Sequence, residues 1–141
     1  MGRPIRGIVV HHSATPDGDT LSWDDIKRYH VETNHWADIG YHAGIEAIGG
    51  SYQMLIGRPW TRAGAHAPDR NADTLGLCLV GNFDLVPPPS LQWGQAVALV
   101  RWWRDLFKIP VEQVFGHREV TPGRGCPGRY FDCDAFRSAV A

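Results

Sequence analysis

Charge of one sign is the first thing this 141-residue chain lacks: 14 Lys and Arg against 15 Asp and Glu leave a net charge of -1 at pH 7. No cluster of Lys and Arg stands out, so the electrostatic footprint of a nucleic-acid binder or of a membrane-surface protein is missing. No apolar run is long enough to span a bilayer, and membrane insertion is not expected. Cysteine is scarce as well. Three residues, an odd count with no secretory leader ahead of them, predict reduced thiols and synthesis in the cytosol. The opening Met1-Gly2-Arg3-Pro4-Ile5-Arg6 departs from the myristoylation pattern because its sixth residue is arginine. There is no repeat, low-complexity tract or linker, and neither Cys-x-x-Cys nor His-Glu-x-x-His, which excludes the local zinc motifs. The length fits one domain, residues 1–141, able to bury most of its apolar surface.

What is present alternates between strand and helix patterns. The apolar run Ile8-Val9-Val10 predicts a strand over residues 5–11, and Ser22 or Thr20 can cap a helix to about residue 34, with Trp23, Ile26 and Tyr29 or His30 on one face. Residues 41–48 and 51–56 read as a hairpin around Gly49-Gly50. Residues 74–81 are almost continuously apolar, which predicts a central strand. After Pro87-Pro88-Pro89, Ser90 is the expected cap of the longest helix, whose stripe Trp93, Val97, Val100, Trp103 and Phe107 belongs in the core. A short strand at 114–116 leads to His117, and a helix at 132–140 closes the chain. The expected fold class is α/β: a central mixed sheet flanked by helices. The irregular stretches 59–73 and 121–129 fall where an active-site rim belongs. Most of the six tryptophans are expected in the core, and a few exposed ones would suit a sugar-binding groove.

Two distant patches offer metal ligands. Ile8-Val9-Val10-His11-His12-Ser13 ends the first strand, and Gly116-His117-Arg118-Glu119 leads to Gly125-Cys126-Pro127-Gly128. A strand sends alternate side chains to opposite faces, so only one of His11 and His12 can point into a site. Each histidine alone suits a core position, and a lone cysteine is usually a small buried hydrophobe. Cys126, however, sits among Pro122, Gly123, Gly125, Pro127 and Gly128, in a tight loop instead of a packed element. Two imidazoles and one thiolate would leave a fourth tetrahedral position open on Zn2+, which is the arrangement of a hydrolytic site.

The run Val10-His11-His12-Ser13-Ala14-Thr15, then Asp38-Ile39-Gly40-Tyr41-His42, Gly64-Ala65-His66-Ala67, Leu75-Gly76-Leu77-Cys78-Leu79-Val80-Gly81-Asn82, His117-Arg118-Glu119-Val120 and Cys126-Pro127-Gly128 resembles the zinc-dependent N-acetylmuramoyl-L-alanine amidases. That family includes the amidase-type lysozymes of bacteriophages and the animal peptidoglycan recognition proteins. The blocks keep the family's order from about residue 5 to residue 131. The resemblance implies that His11, His117 and Cys126 hold zinc, with His11 in the ligand position and His12 turned away or behind it. It places Tyr41 beside the metal as a catalytic donor to the developing oxyanion. Arg124 falls near the lysine that phage amidases carry just before the cysteine, but differs in identity and by one loop residue. Arginine keeps its charge, so it can orient substrate and cannot shuttle a proton. His66 matches a substrate-binding position on the groove wall. Cys78 stands where some relatives carry a carboxylate, and strand packing is its expected role. Glu119 is expected to hold its loop or orient a ligand, and Asn71 and Asn82 to position loops.

The implied activity is hydrolysis of the amide bond between N-acetylmuramic acid and L-alanine in peptidoglycan, by a monomeric phage-type endolysin that reaches the wall through a separate pore. A cytosolic enzyme recycling muropeptides is the alternative within the family. Outside it stand a non-catalytic peptidoglycan-binding module, which Cys126 argues against, a zinc deaminase, which lacks its Pro-Cys-x-x-Cys, and a cysteine hydrolase using Cys126.

Overall fold

Two mostly apolar strands, β1 (Gly7–His12) and β4 (Thr74–Leu79), are buried along their whole length. Such strands need cover on both faces, and they lie side by side and parallel inside a five-stranded sheet of order β3-β2-β4-β1-β5. The structure, a computed structural model, describes residues 2–17 and 22–141. The short edge strand β5 (Val114–Gly116) runs parallel to β1. On the other side β2 (Ala43–Ile48) is parallel to β4, and β3 (Ser51–Ile56) returns antiparallel, so the sheet is mixed as expected. Gly49 (φ 59°) and Gly50 (φ 83°) both occupy the left-handed region that a tight two-residue hairpin demands.

Strand alternation divides the chemistry between two faces. Leu75, Leu77 and Leu79 of β4, with Ile8 and Val10 of β1, meet Val100 and Trp103 of α2 (Ser90–Phe107) and Phe136 of α4 (Cys133–Val140) in the main core. The opposite face carries Thr74, Gly76 and Cys78 opposite Gly7, Val9 and His11. Trp23 of α1 (Ser22–Arg28) and Ile39 pack on it with Cys78. That packing needs a glycine in β2, because a Cβ on Gly44 would lie 2.2 Å from the Trp23 ring. A face built of small residues leaves room above the sheet, and the site occupies it.

Several element ends differ from expectation. β1 begins at Gly7, and β2 begins at Ala43, leaving Tyr41 before the ladder. α1 passes into a π-helical turn at Tyr29–Thr33. Thr20, one of its expected caps, lies outside the described residues. The first amides of α1 are satisfied from β2, where Glu46 accepts from Ser22 N–H at 2.9 Å and from Trp23 N–H at 3.2 Å. Ser90 is the first residue of α2, not its cap: Pro89 holds that position with no side-chain bond. Asp132 does cap α4, accepting from Ala135 N–H at 2.9 Å. A one-turn helix, α3 (His117–Val120), was not expected after β5. Among the described residues no helix is long and apolar enough to cross a membrane.

Candidate active site

β1 and β5 are neighbours with Val10 opposite Gly116, so the residues that follow, His11 and His117, emerge side by side at the same end of the sheet. Their ring centroids are 4.4 Å apart. His117 opens α3, whose start is held by Glu119 Oε1 accepting from Gly116 N–H at 2.8 Å. Glu119 is in turn gripped by Arg137 at 2.7 and 2.9 Å, so it anchors the element instead of entering the site. The loop after α3 is pulled back over β1: Arg118 N–H donates to Cys126 O at 2.7 Å, and the Arg118 guanidinium holds Gly128 O and Phe131 O. Cys126 Sγ thereby comes to rest on the end of β1, accepting from His12 N–H at 3.4 Å and lying 3.6 Å from His11 Nδ1.

His11, His117 and Cys126 each bring one ligand atom to within 4.8 Å of the others. His12 faces the other way, as alternation requires, with Nδ1 accepting from Phe83 N–H at 3.1 Å. Burial, followed by the neighbouring His66 and His117, holds His11 well below the usual imidazole range. Burial and then Arg124 bring His117 to about 4. Both rings are neutral at pH 7, and each keeps a lone pair. The Cys126 thiol is pushed up to about 12 by burial, opposed by the His12 amide and Arg118.

A divalent metal fits this set. His117 Nε2 is buried with no hydrogen-bond partner among the described residues, and an orphaned ring nitrogen calls for an occupant. Zinc about 2.3 Å from sulfur and about 2.0–2.1 Å from nitrogen would separate tetrahedral ligands by about 3.6 Å. The Cys126 Sγ to His11 Nδ1 separation is 3.6 Å. A cation is also what a thiol needs to ionise in so dry a place.

The sequence pattern of the N-acetylmuramoyl-L-alanine amidase family matches residues 1–129. The chain belongs to this family. It is 33% identical over 135 residues to peptidoglycan-recognition protein LB of Drosophila melanogaster, covering 89% of this chain and 55% of that protein. It is also 33% identical over 128 residues to peptidoglycan recognition protein 1 of Bos indicus, covering 85% of this chain and 65% of that one. The chain thus spans less than two thirds of the length of these relatives. Among solved structures it is similar to the N-acetylmuramoyl-L-alanine amidase LysC from Clostridium intestinale, with a TM-score of 0.82, 27% identity, and 96% of this chain and 85% of that chain covered. The endolysin amidase LysCS of the same organism gives a TM-score of 0.82 at 29% identity, covering 96% and 83%.

Around the cluster of this amidase-family chain lies a groove of about 420 Å³, on whose walls stand Tyr41, His30, Trp36, Arg124 and Asn71. A second cleft of about 450 Å³, between α1 and the loop at Ser13 and Thr15, shares His30 and Tyr41 with it. The Tyr41 ring lies tilted against the His11 ring with centroids 5.1 Å apart. Burial, then the sulfurs of Cys78 and Cys126, raise the phenol well above its ordinary range, so it remains a donor. Cys78 is fully buried, as expected of strand packing, in the small cluster with Trp23 and Ile39 against which Tyr41 packs. Arg124 is exposed on the rim and close enough to bias His117. Asn71 does position a loop, its Oδ1 accepting from His66 and Ala67 N–H at 2.7 and 2.8 Å. Asn82 Oδ1 likewise accepts from Asp84 N–H.

His66 lines the groove but is only 7% exposed, with Nδ1 2.9 Å from His11 Nε2 and Nε2 3.3 Å from Thr74 Oγ1. Its nitrogens are therefore engaged inside the protein. Sequence reasoning missed Thr74 and Trp36 altogether. His30 carried a signal, since it was placed at the end of a helical face with Trp23 and Ile26, and with Ile26 it lines the second cleft.

Proposed function

We propose that this protein hydrolyses the amide bond between the lactyl group of N-acetylmuramic acid and the L-alanine of the stem peptide, with zinc held by His11, His117 and Cys126. The observation that carries the reading is the cluster itself: two neutral imidazoles and a thiol converging at the floor of an open groove. Zinc there would polarise the scissile carbonyl and lower the pKa of water in its open fourth position to about 7. The His12 amide steadies the Cys126 sulfur. Tyr41 keeps its proton and would donate to the oxyanion that develops on the carbonyl oxygen. Arg124, charged at the rim, would hold an anionic part of the substrate and takes no part in proton transfer. The paired clefts suit a substrate with a sugar on one side of the bond and a peptide on the other.

A thiol nucleophile is the rival within the same residues. Cys126, pushed up to about 12, keeps its proton at neutral pH and would attack poorly. The likeness to an endolysin amidase supports a phage-type endolysin, made in the host cytoplasm and acting on the cell wall after release through a separate pore.

Mass spectrometry of digested sacculi tests the reaction. New N-terminal alanine without new reducing sugar ends is expected, abolished by 1,10-phenanthroline and restored by zinc. His11→Ala, His117→Ala and Cys126→Ser should each lose zinc and turnover, whereas His12→Ala keeps most of both. Activity that survives the chelator would sink the metal reading. Cleavage confined to small soluble anhydromuropeptides would replace the endolysin by a recycling enzyme with the same chemistry.

A further inference from the structure

The buried face of the sheet holds a chain of hydrogen bonds with a determined polarity. It runs from the Arg70 carbonyl through Thr74 and His66 to His11. Thr74 Oγ1 lies 2.6 Å from Arg70 O and 3.3 Å from His66 Nε2. A hydroxyl has one proton, and a carbonyl can only accept, so the Thr74 proton is committed to Arg70 O. Thr74 must then accept from His66 Nε2, which places the single proton of the neutral His66 ring on Nε2. That leaves His66 Nδ1 as an acceptor, 2.9 Å from His11 Nε2. His11 must donate from Nε2, and its lone pair is consequently on Nδ1, the atom that lies 3.6 Å from Cys126 Sγ.

Each member of the chain is held from outside it. Arg70 is fixed by its ion pair with Asp73 at 3.0 Å and by N–H donation to Ala67 O at 3.0 Å. The His66 backbone is held by Asn71. Its ring lies in the space that Gly64 and Gly76 leave free, where a Cβ would fall 2.5 and 2.7 Å from Cδ2, and both of its nitrogens are held by hydrogen bonds.

We infer that Thr74 and His66 are positioning residues that lock the tautomer and ring plane of His11, so that Nδ1 is presented to the metal before any metal arrives. The inference rests on the zinc reading of the site but predicts a property of the metal-free protein too. It also gives His66 a task other than holding substrate.

Long-range 15N–1H correlation spectra of the metal-free protein should show His11 and His66 both protonated on Nε2. Zinc affinity, measured by competition with a chromogenic chelator, should fall about 10- to 100-fold in Thr74→Val and in His66→Leu. Thr74→Ser should bind as the parent does. His66→Asn, whose side-chain oxygen can stand near the place of Nδ1, should recover most of the loss in His66→Leu. Thr74→Val should also show His11 in mixed tautomers, a signal that mere loss of packing would not produce. Should His66→Leu fail to fold, the parent spectrum and Thr74→Val decide alone. Protonation of His11 on Nδ1 in the parent overturns the inference, as does parent-like zinc binding by Thr74→Val. A parent protein that binds no zinc would overturn the proposed function instead, while the tautomer spectrum still decides the relay.

Discussion

The role proposed for Tyr41, donation to a developing oxyanion, requires the phenol to keep its proton, and burial raises its pKa in the direction that requirement needs. Removing the hydroxyl removes a donor felt most strongly in the transition state. Tyr41→Phe should therefore bind zinc as the parent does and lose about a hundredfold or more in kcat, with KM little changed. Steady-state kinetics together with a metal assay check this, and an equal loss of zinc would refute it. The choice between His11 and His12 was legible residue by residue, because strand alternation forces one of two adjacent histidines off the site and the family block names which. The place of His66 in the groove was legible, but its hydrogen bonds were not. Those depend on Thr74, Arg70 and Asn71 meeting in space, and the sequence carries no mark of a tautomer. Glu46 was equally silent, being a strand carboxylate that caps a helix beginning 24 residues earlier.

At the level of elements, β4 does two jobs with one alternation. Its leucines fill the main core, while Thr74, Gly76 and Cys78 form the low floor of the site. The floor must stay low at Gly76. Gly76→Ala would put a methyl 2.7 Å from the His66 ring, which could give way only by disturbing hydrogen bonds at both of its nitrogens, and such overpacking typically costs about 1–3 kcal/mol. Chemical denaturation should register that loss, and zinc affinity should drop with it as the His11 contact is pushed away. Gly94 supplies the control, because nothing lies within 4 Å of a Cβ there, on an exposed turn of α2. Gly94→Ala should raise stability by about 0.4–1 kcal/mol and leave zinc binding alone. Strand and helix positions were largely legible from their apolar periods. The ends were less so: α3 is a single turn, too short for a period, and α1 borrows its cap from a distant strand.

For the whole molecule, a metal that binds only the folded chain adds to its stability by mass action. Free zinc at about a hundred times its Kd contributes about 2.7 kcal/mol, which for a chain of this size raises Tm by on the order of 10 °C. Calorimetry with and without a chelator measures it, and the rise should vanish in Cys126→Ser. The α/β class and the mixed sheet could be read from the alternation of patterns and the glycine hairpin, but the strand order could not, since no local signal says that β1 lies between β4 and β5. That order has a consequence for synthesis. β1 has no sheet neighbour until residues 74–79 and 114–116 have been made after it, and the Cys126 thiol comes later still. Nascent chains stalled before residue 114 should bind no zinc at this site, because the three proposed ligands come together only when the last of the sheet and the loop behind it have been made.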